Sequence, residues 1–151
     1  MKGSTAVAAG VGVVVILGVV VLGGGLGFTP DSSFSLKNDG TGACKPTEPA
    51  PMSAGYAHQV TWEVTNVDCD PQYVTLKNFR HPRDGGYDGA EKVLKDDPLT
   101  DGPVSIGKPI TLKSKVDKFF VWKRTFKYDI WNGISPAGAT LGRDPDIDIW
   151  P

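Results

Sequence analysis

The sequence has 151 residues but only two cysteines, two histidines and one methionine besides Met1. So few soft and imidazole ligands leave no zinc motif, and no nucleophile elbow or phosphate-binding loop is present. Enzymatic function therefore has no constellation to rest on, and neither a cofactor nor a metal is expected. Charge of one sign is also missing: 16 Lys and Arg stand against 17 Asp and Glu. That balance lacks the basic footprint of a nucleic-acid-binding protein. Long amphipathic helices are absent too, because 12 Pro and 19 Gly break the chain into short segments. A helical bundle is excluded on that ground.

Charge is missing altogether from residues 6–28, which are almost entirely Val, Ala, Gly, Leu and Ile. As a helix this run would extend about 34 Å, enough to cross a hydrocarbon core of about 30 Å. A cleaved signal peptide has a shorter apolar core, about 7–15 residues, and ends in an Ala-x-Ala-like site. Here the run ends in Gly23-Gly24-Gly25-Leu26-Gly27-Phe28 with no such site and no cysteine to lipidate. The reading is an uncleaved single-pass anchor, with a cleaved leader as the alternative. Lys2 and the α-amino group place the N-terminus in the cytoplasm and export the remainder. In a bacterium that means the inner membrane, with the C-terminal domain in the periplasm. Three small-xxx-small pairs, Ala6/Gly10, Ala8/Gly12 and Gly23/Gly27, would let a second helix approach closely.

The exported part reads as strands. The expected organisation is a cytoplasmic N-terminus (1–5), a transmembrane helix (6–28), a linker with one short strand at 34–36 (29–54), and a β domain (55–151). Val60, Trp62 and Val64 alternate with Thr61, Glu63 and Thr65, the period of a half-buried strand. Val74 and Leu76 belong to a second strand. Ile110, Leu112, Ser114 and Val116 form a third row. Phe126, Tyr128 and Ile130 face inward against Thr125, Lys127 and Asp129, and Ile147 and Ile149 alternate with Asp146, Asp148 and Trp150. Residues 80–101 have no clean period and read as a long surface excursion, with one helical turn near 90–95. About seven strands without a helix of any length predict a mainly β fold, an antiparallel Greek-key sandwich of the cupredoxin or immunoglobulin kind.

The stretch Val60-Thr61-Trp62-Glu63-Val64-Thr65-Asn66, followed by Val74-Thr75-Leu76-Lys77-Asn78-Phe79-Arg80, resembles paired strands of small bacterial cupredoxin-like domains. Phe126-Lys127-Tyr128-Asp129-Ile130 with Asp144-Pro145-Asp146-Ile147 is similar to their last hairpin. The resemblance spans some 90 residues by that count, and it implies the sandwich. It does not carry copper chemistry, because Tyr128-Asp129-Ile130-Trp131-Asn132-Gly133 offers no Cys, His or Met where that family places its ligands.

Other clusters are weaker. Cys44 and Cys69, in an oxidising compartment, suit a disulfide across a loop of about 25 residues, worth roughly 3 kcal/mol; free thiols or a metal pair are the alternatives. Asp144, Asp146 and Asp148 have the spacing that opens a calcium loop, but the sequence ends before the required Glu. His58 falls on an inward strand phase, as a core histidine would. Seven basic residues lie between positions 108 and 127 against one acid, Asp117, while 84–101 holds six acids against Lys92 and Lys95. Lys113, Lys115, Lys123, Arg124 and Lys127, with Trp122 inside the basic stretch and Trp131 and Trp150 on outward phases, are the candidate partner interface. Such a surface suits either a protein neighbour or lipid headgroups.

Together these features predict a non-enzymatic accessory subunit of a multi-subunit membrane complex. Its helix would pack among other helices while its β domain clamps exported surfaces of its neighbours. The expected partners are other subunits and the lipid bilayer, with a lipid or pigment bound at the helix; photosynthetic or respiratory electron-transfer assemblies are plausible hosts. The alternative is a tethered ligand- or metal-binding module built from His58, His81 and Asp70.

Overall fold

The computed structural model describes residues 29–80, 82–83, 86–87 and 93–151. The expected anchor lies outside these, and so do its helix-packing pairs, Ala6 with Gly10, Ala8 with Gly12 and Gly23 with Gly27. Among the described residues there is no helix, and none long and apolar enough to cross a membrane. The period-two segments become strands packed as two sheets. The first sheet runs in the order β2 (Cys44–Pro46), β1 (Ser32–Asn38), β4 (Gln59–Asn66), β9 (Ile110–Lys115). The second runs β3 (Met52–Gly55), β12 (Asp146–Trp150), β10 (Arg124–Gly133), β5 (Gln72–Arg80), β8 (Leu99–Val104), with β11 (Thr140–Arg143) also paired to β10. Between β5 and β8, β6 (Pro82–Arg83) and β7 (Gly86–Tyr87) form a short hairpin.

The core lies between the sheets and is organised around three rings. Trp62 from the first sheet donates its indole N–H to the Tyr128 hydroxyl of the second, 3.1 Å away, and Tyr128 stacks on Phe79 at 5.0 Å between centroids. All three are fully buried. Burial raises the Tyr128 hydroxyl far above its usual range, so it stays neutral and available to accept the indole proton. Truncating a buried ring of this kind costs about 3–5 kcal/mol.

Several expectations are corrected. The sheets are mixed rather than purely antiparallel, because β1 runs parallel to β4 and β3 runs parallel to β12. Residues 29–54 are not a linker. They form β1, β2 and β3 and contribute Phe34, Leu36 and Met52 to the core, so the sandwich includes strands well before residue 55. Short strands flanked by Pro and Gly carry too little period to be read locally, and here their partners lie far along the chain.

The excursion also returns to the core. Val93 and Leu94 are buried, Leu94 bridges Val116, and the Lys95 N–H bonds the Lys115 carbonyl at 2.8 Å. Residues 93–95, the described part of the expected helical turn, are not helical. Gly102, at φ 137°, sits in edge strand β8 where an added Cβ would lie 2.9 Å from the Gln72 carbonyl oxygen, so only glycine fits this bulge. Asp129, expected to face water, is buried. Asn78, at φ 58°, shifts the register of β5, and both Asn78 and Arg80 bond the Asp129 carboxylate, at 2.8 and 2.6 Å.

Candidate functional site

Strand directions divide the loops between two ends of the sandwich. Trp150 pairs with Gly55, Arg124 with Ile149, Gln59 with Lys115, and β1 enters parallel to β4 with Ser32 opposite Trp62. One end therefore gathers the turn 56–58, the loop 116–123, the close of β12 and the point where the chain enters the domain. We call it the entry pole. The opposite end carries Cys44, Cys69 and the turns around 67, 106 and 134, and is the disulfide pole.

The entry pole exposes large apolar side chains. Trp122 is 74% accessible, Val121 66%, Phe119 57%, and Tyr56 and Trp150 48% each. Two of these rings touch, and strand pairing brings a third to the same end. Tyr56 meets Phe119 edge-on at 5.6 Å between centroids, and Trp150 lies across the ladder from Gly55, next to Tyr56. Phe120 tucks under the loop against Phe126, at 5.2 Å. Basic groups border the rings: Lys123 stands 5.1 Å from the Trp150 centroid, and Lys118 and Arg124 are 5.7 and 5.9 Å from Phe120. Lys123 also pairs with Asp148 at 2.7 Å. Hydrogen bonds from Lys123 and then Thr125 hold the Asp148 carboxyl below its ordinary range.

The entry point itself is clamped. The Asp31 carboxylate accepts bonds from the Thr61 N–H and hydroxyl, both at 2.8 Å, and the Asp31 N–H donates to Thr61 Oγ1 at 3.1 Å. This contact covers Thr61, which is why it is buried on an outward strand phase.

The disulfide pole is built differently. Cys44 and Cys69 are joined, with Cα atoms 5.8 Å apart, linking β2 of one sheet to the turn that crosses to the other. Buried amides fix the surrounding loops. The Asn66 amide bonds the Cys69 and Val104 carbonyls at 3.1 and 2.9 Å and accepts the Cys69 N–H at 2.9 Å. The Asn132 amide bonds the Cys44 carbonyl and Gln72 Oε1, both at 3.0 Å. Beside them lies a polar cleft of about 410 Å³ bordered by Asn38, Asp68, Asp70 and Ile134.

Of the candidate interface residues, the structure brings Trp122, Lys123, Arg124 and Trp150 together at the entry pole. The rest are not gathered with these rings, although Lys115 closes β9 at the same pole. Lys113 and Lys115 point outward from β9 on the first sheet. Lys127 lies on the second sheet, 3.2 Å from Asp146. Trp131 is half-buried under Lys77, whose Nζ stands 4.0 Å from its ring centroid. The basic run is thus spread over both sheets and both poles, since alternate strand residues diverge and Lys108 falls in a disulfide-pole turn. The helix-packing candidates Ala6, Ala8, Gly10, Gly12, Gly23 and Gly27 fall outside the described residues.

His58 is corrected: it is exposed in the turn before β4, not in the core. It lies at the opposite pole from Asp70, and His81 lies outside the described residues, so the expected ligand set does not converge. No group of three potential metal ligands occurs among the described residues. Tyr56 was missed by sequence reading. Its only signal is a bulky ring between Gly55 and Ala57 in a segment too short to show a period. No protein-family model and no curated protein matches the chain.

Proposed function

We propose that this chain is a non-enzymatic, membrane-tethered accessory subunit of a multi-subunit assembly, with its β domain held on the exported side. The observation that carries this reading is the entry pole: five large apolar side chains exposed at the same end of the sandwich where Asp31, three residues after the apolar N-terminal run, is clamped to Thr61. Contiguous exposed apolar surface in a folded domain marks a contact site. The cupredoxin-like resemblance supplies a scaffold for such a role, without its copper ligands.

The test is native electrophoresis of membranes in mild detergent, followed by mass spectrometry of the band containing this chain. Co-migration with stoichiometric partners and an intact N-terminus is expected. Migration of the chain alone would reject the subunit reading, and a species missing residues 1–28 would reject the tether.

A further inference from the structure

We infer that the entry pole is a membrane-docking face: Phe119, Val121 and Trp122, flanked by Tyr56 and Trp150, seat in the headgroup region of the lipid bilayer and fix the orientation of the domain. This rests on the tether proposed above. Three observations select lipid as the occupant.

The first is reach. The apolar run ends at Phe28, and Asp31 is already bonded to Thr61 of β4. Only Thr29 and Pro30 lie between, so the span from Phe28 to Asp31 is at most about 10 Å. Proline stiffens even that link, because its ring fixes φ. A domain held so close has little room for another protein layer between this pole and the bilayer.

The second is placement. Five exposed apolar residues lie at the pole where the chain enters, contributed by the turn 56–58, the loop 116–123 and the end of β12. Those three segments are separate in sequence and meet only through the strand pairings. Trp and Tyr are the residues that favour the membrane–water boundary, where a ring sits among headgroups with its polar edge in water.

The third is the charge border. Lys123 stands over the Trp150 ring, and Lys118 and Arg124 lie in and beside the same loop, over the inner ring of Phe120; near an anionic leaflet each basic residue adds about fivefold in affinity. Asp117 and Asp148 offset part of this, with Asp148 bonded to Lys123. Ring insertion is therefore the larger contribution and charge the smaller.

The experiment uses the full chain reconstituted in vesicles of phosphatidylcholine with about a third phosphatidylglycerol. In the variant W131F/W150F the remaining indoles are Trp122 and the buried Trp62, which serves as the internal reference. Lipids spin-labelled at the headgroup are expected to quench Trp122 and leave Trp62 emission intact. Adding F119S and V121S should reduce that quenching several-fold while the thermal midpoint stays the same, since both side chains are exposed. Alkaline extraction of the same vesicles reads the tether separately. A chain that resists extraction but shows unquenched Trp122 overturns docking and leaves the tether standing. A chain that is released by alkali, yet was quenched beforehand, supports docking and overturns the tether. Release without quenching overturns both. If Trp122 is shielded only in the native complex and not in vesicles, the occupant is a protein and the lipid inference fails.

Discussion

Asn66 shows how much one side chain can organise at the disulfide pole. Its amide holds four backbone groups, three in the turn at Cys69 and Asp70 and one at the end of β8, and the bonds to Cys69 and Val104 are removed from water. Asn66→Ala would leave a donor and two acceptors unpaired, and the cost of such groups predicts a loss of about 2–4 kcal/mol in stability by denaturant titration. Asp148 makes a smaller, pH-dependent contribution. Its folded pKa lies below the unfolded value, so its stabilisation is present above the ordinary aspartate value of about 3.9 and is lost as pH falls through the folded value. The pair with Lys123 is partly exposed, so solvent screening limits it to about 0.5 kcal/mol. Thermal unfolding of Asp148→Asn should therefore show a small deficit at neutral pH that closes on acidification below the ordinary aspartate range.

At the scale of elements, the N-terminal strands decide where the domain begins. β1 is the interior partner between β2 and β4, and β3 closes the edge of the other sheet against β12. Removing them would uncover the edge of β4, strip Phe34, Leu36 and Met52 from the core, and leave Cys69 without Cys44. A fragment of residues 29–151 should unfold cooperatively in a denaturant titration. A fragment of residues 55–151 should show no cooperative transition, because its core is open on one side. The excursion after β5 has the opposite lesson. It carries turn residues and acids, yet Val93, Leu94 and Leu99 return it to the core, so its described return arm is anchored rather than free.

For the whole molecule, the two poles divide the work. The disulfide pole is rigidified by a covalent link and satisfied amides, while the entry pole exposes rings near the point where Asp31 is clamped to Thr61. Under the proposed tether, the clamp would make orientation a property of the whole chain, since any tilt of the domain would move Phe119 and Trp122 relative to the bilayer. Inserting about ten Gly and Ser residues between Phe28 and Thr29 would lengthen the reach to roughly 17 Å as a flexible coil. Quenching of Trp122 by headgroup-labelled lipid should then fall, with the thermal midpoint unchanged, because the insertion touches no strand pairing.

The sequence alone determined the mainly β character of the described domain, the inward rows of β4, β9, β10 and β12, and the lack of ligands in the last hairpin. These are local properties: side-chain alternation along a strand follows from backbone geometry, and a missing residue type is missing in any fold. Only the tertiary structure decided that residues 32–55 belong to the sandwich and that two of its pairings are parallel. It also buried Asp129 through the Asn78 bulge, and it parted His58 from Asp70. The same holds for the entry pole. Tyr56, Phe119 and Trp150 are distant in sequence, and what joins them is the register of strands whose partners lie tens of residues away. No local pattern encodes such a pairing, because each strand's period fixes which face is inward but not which neighbour it will meet.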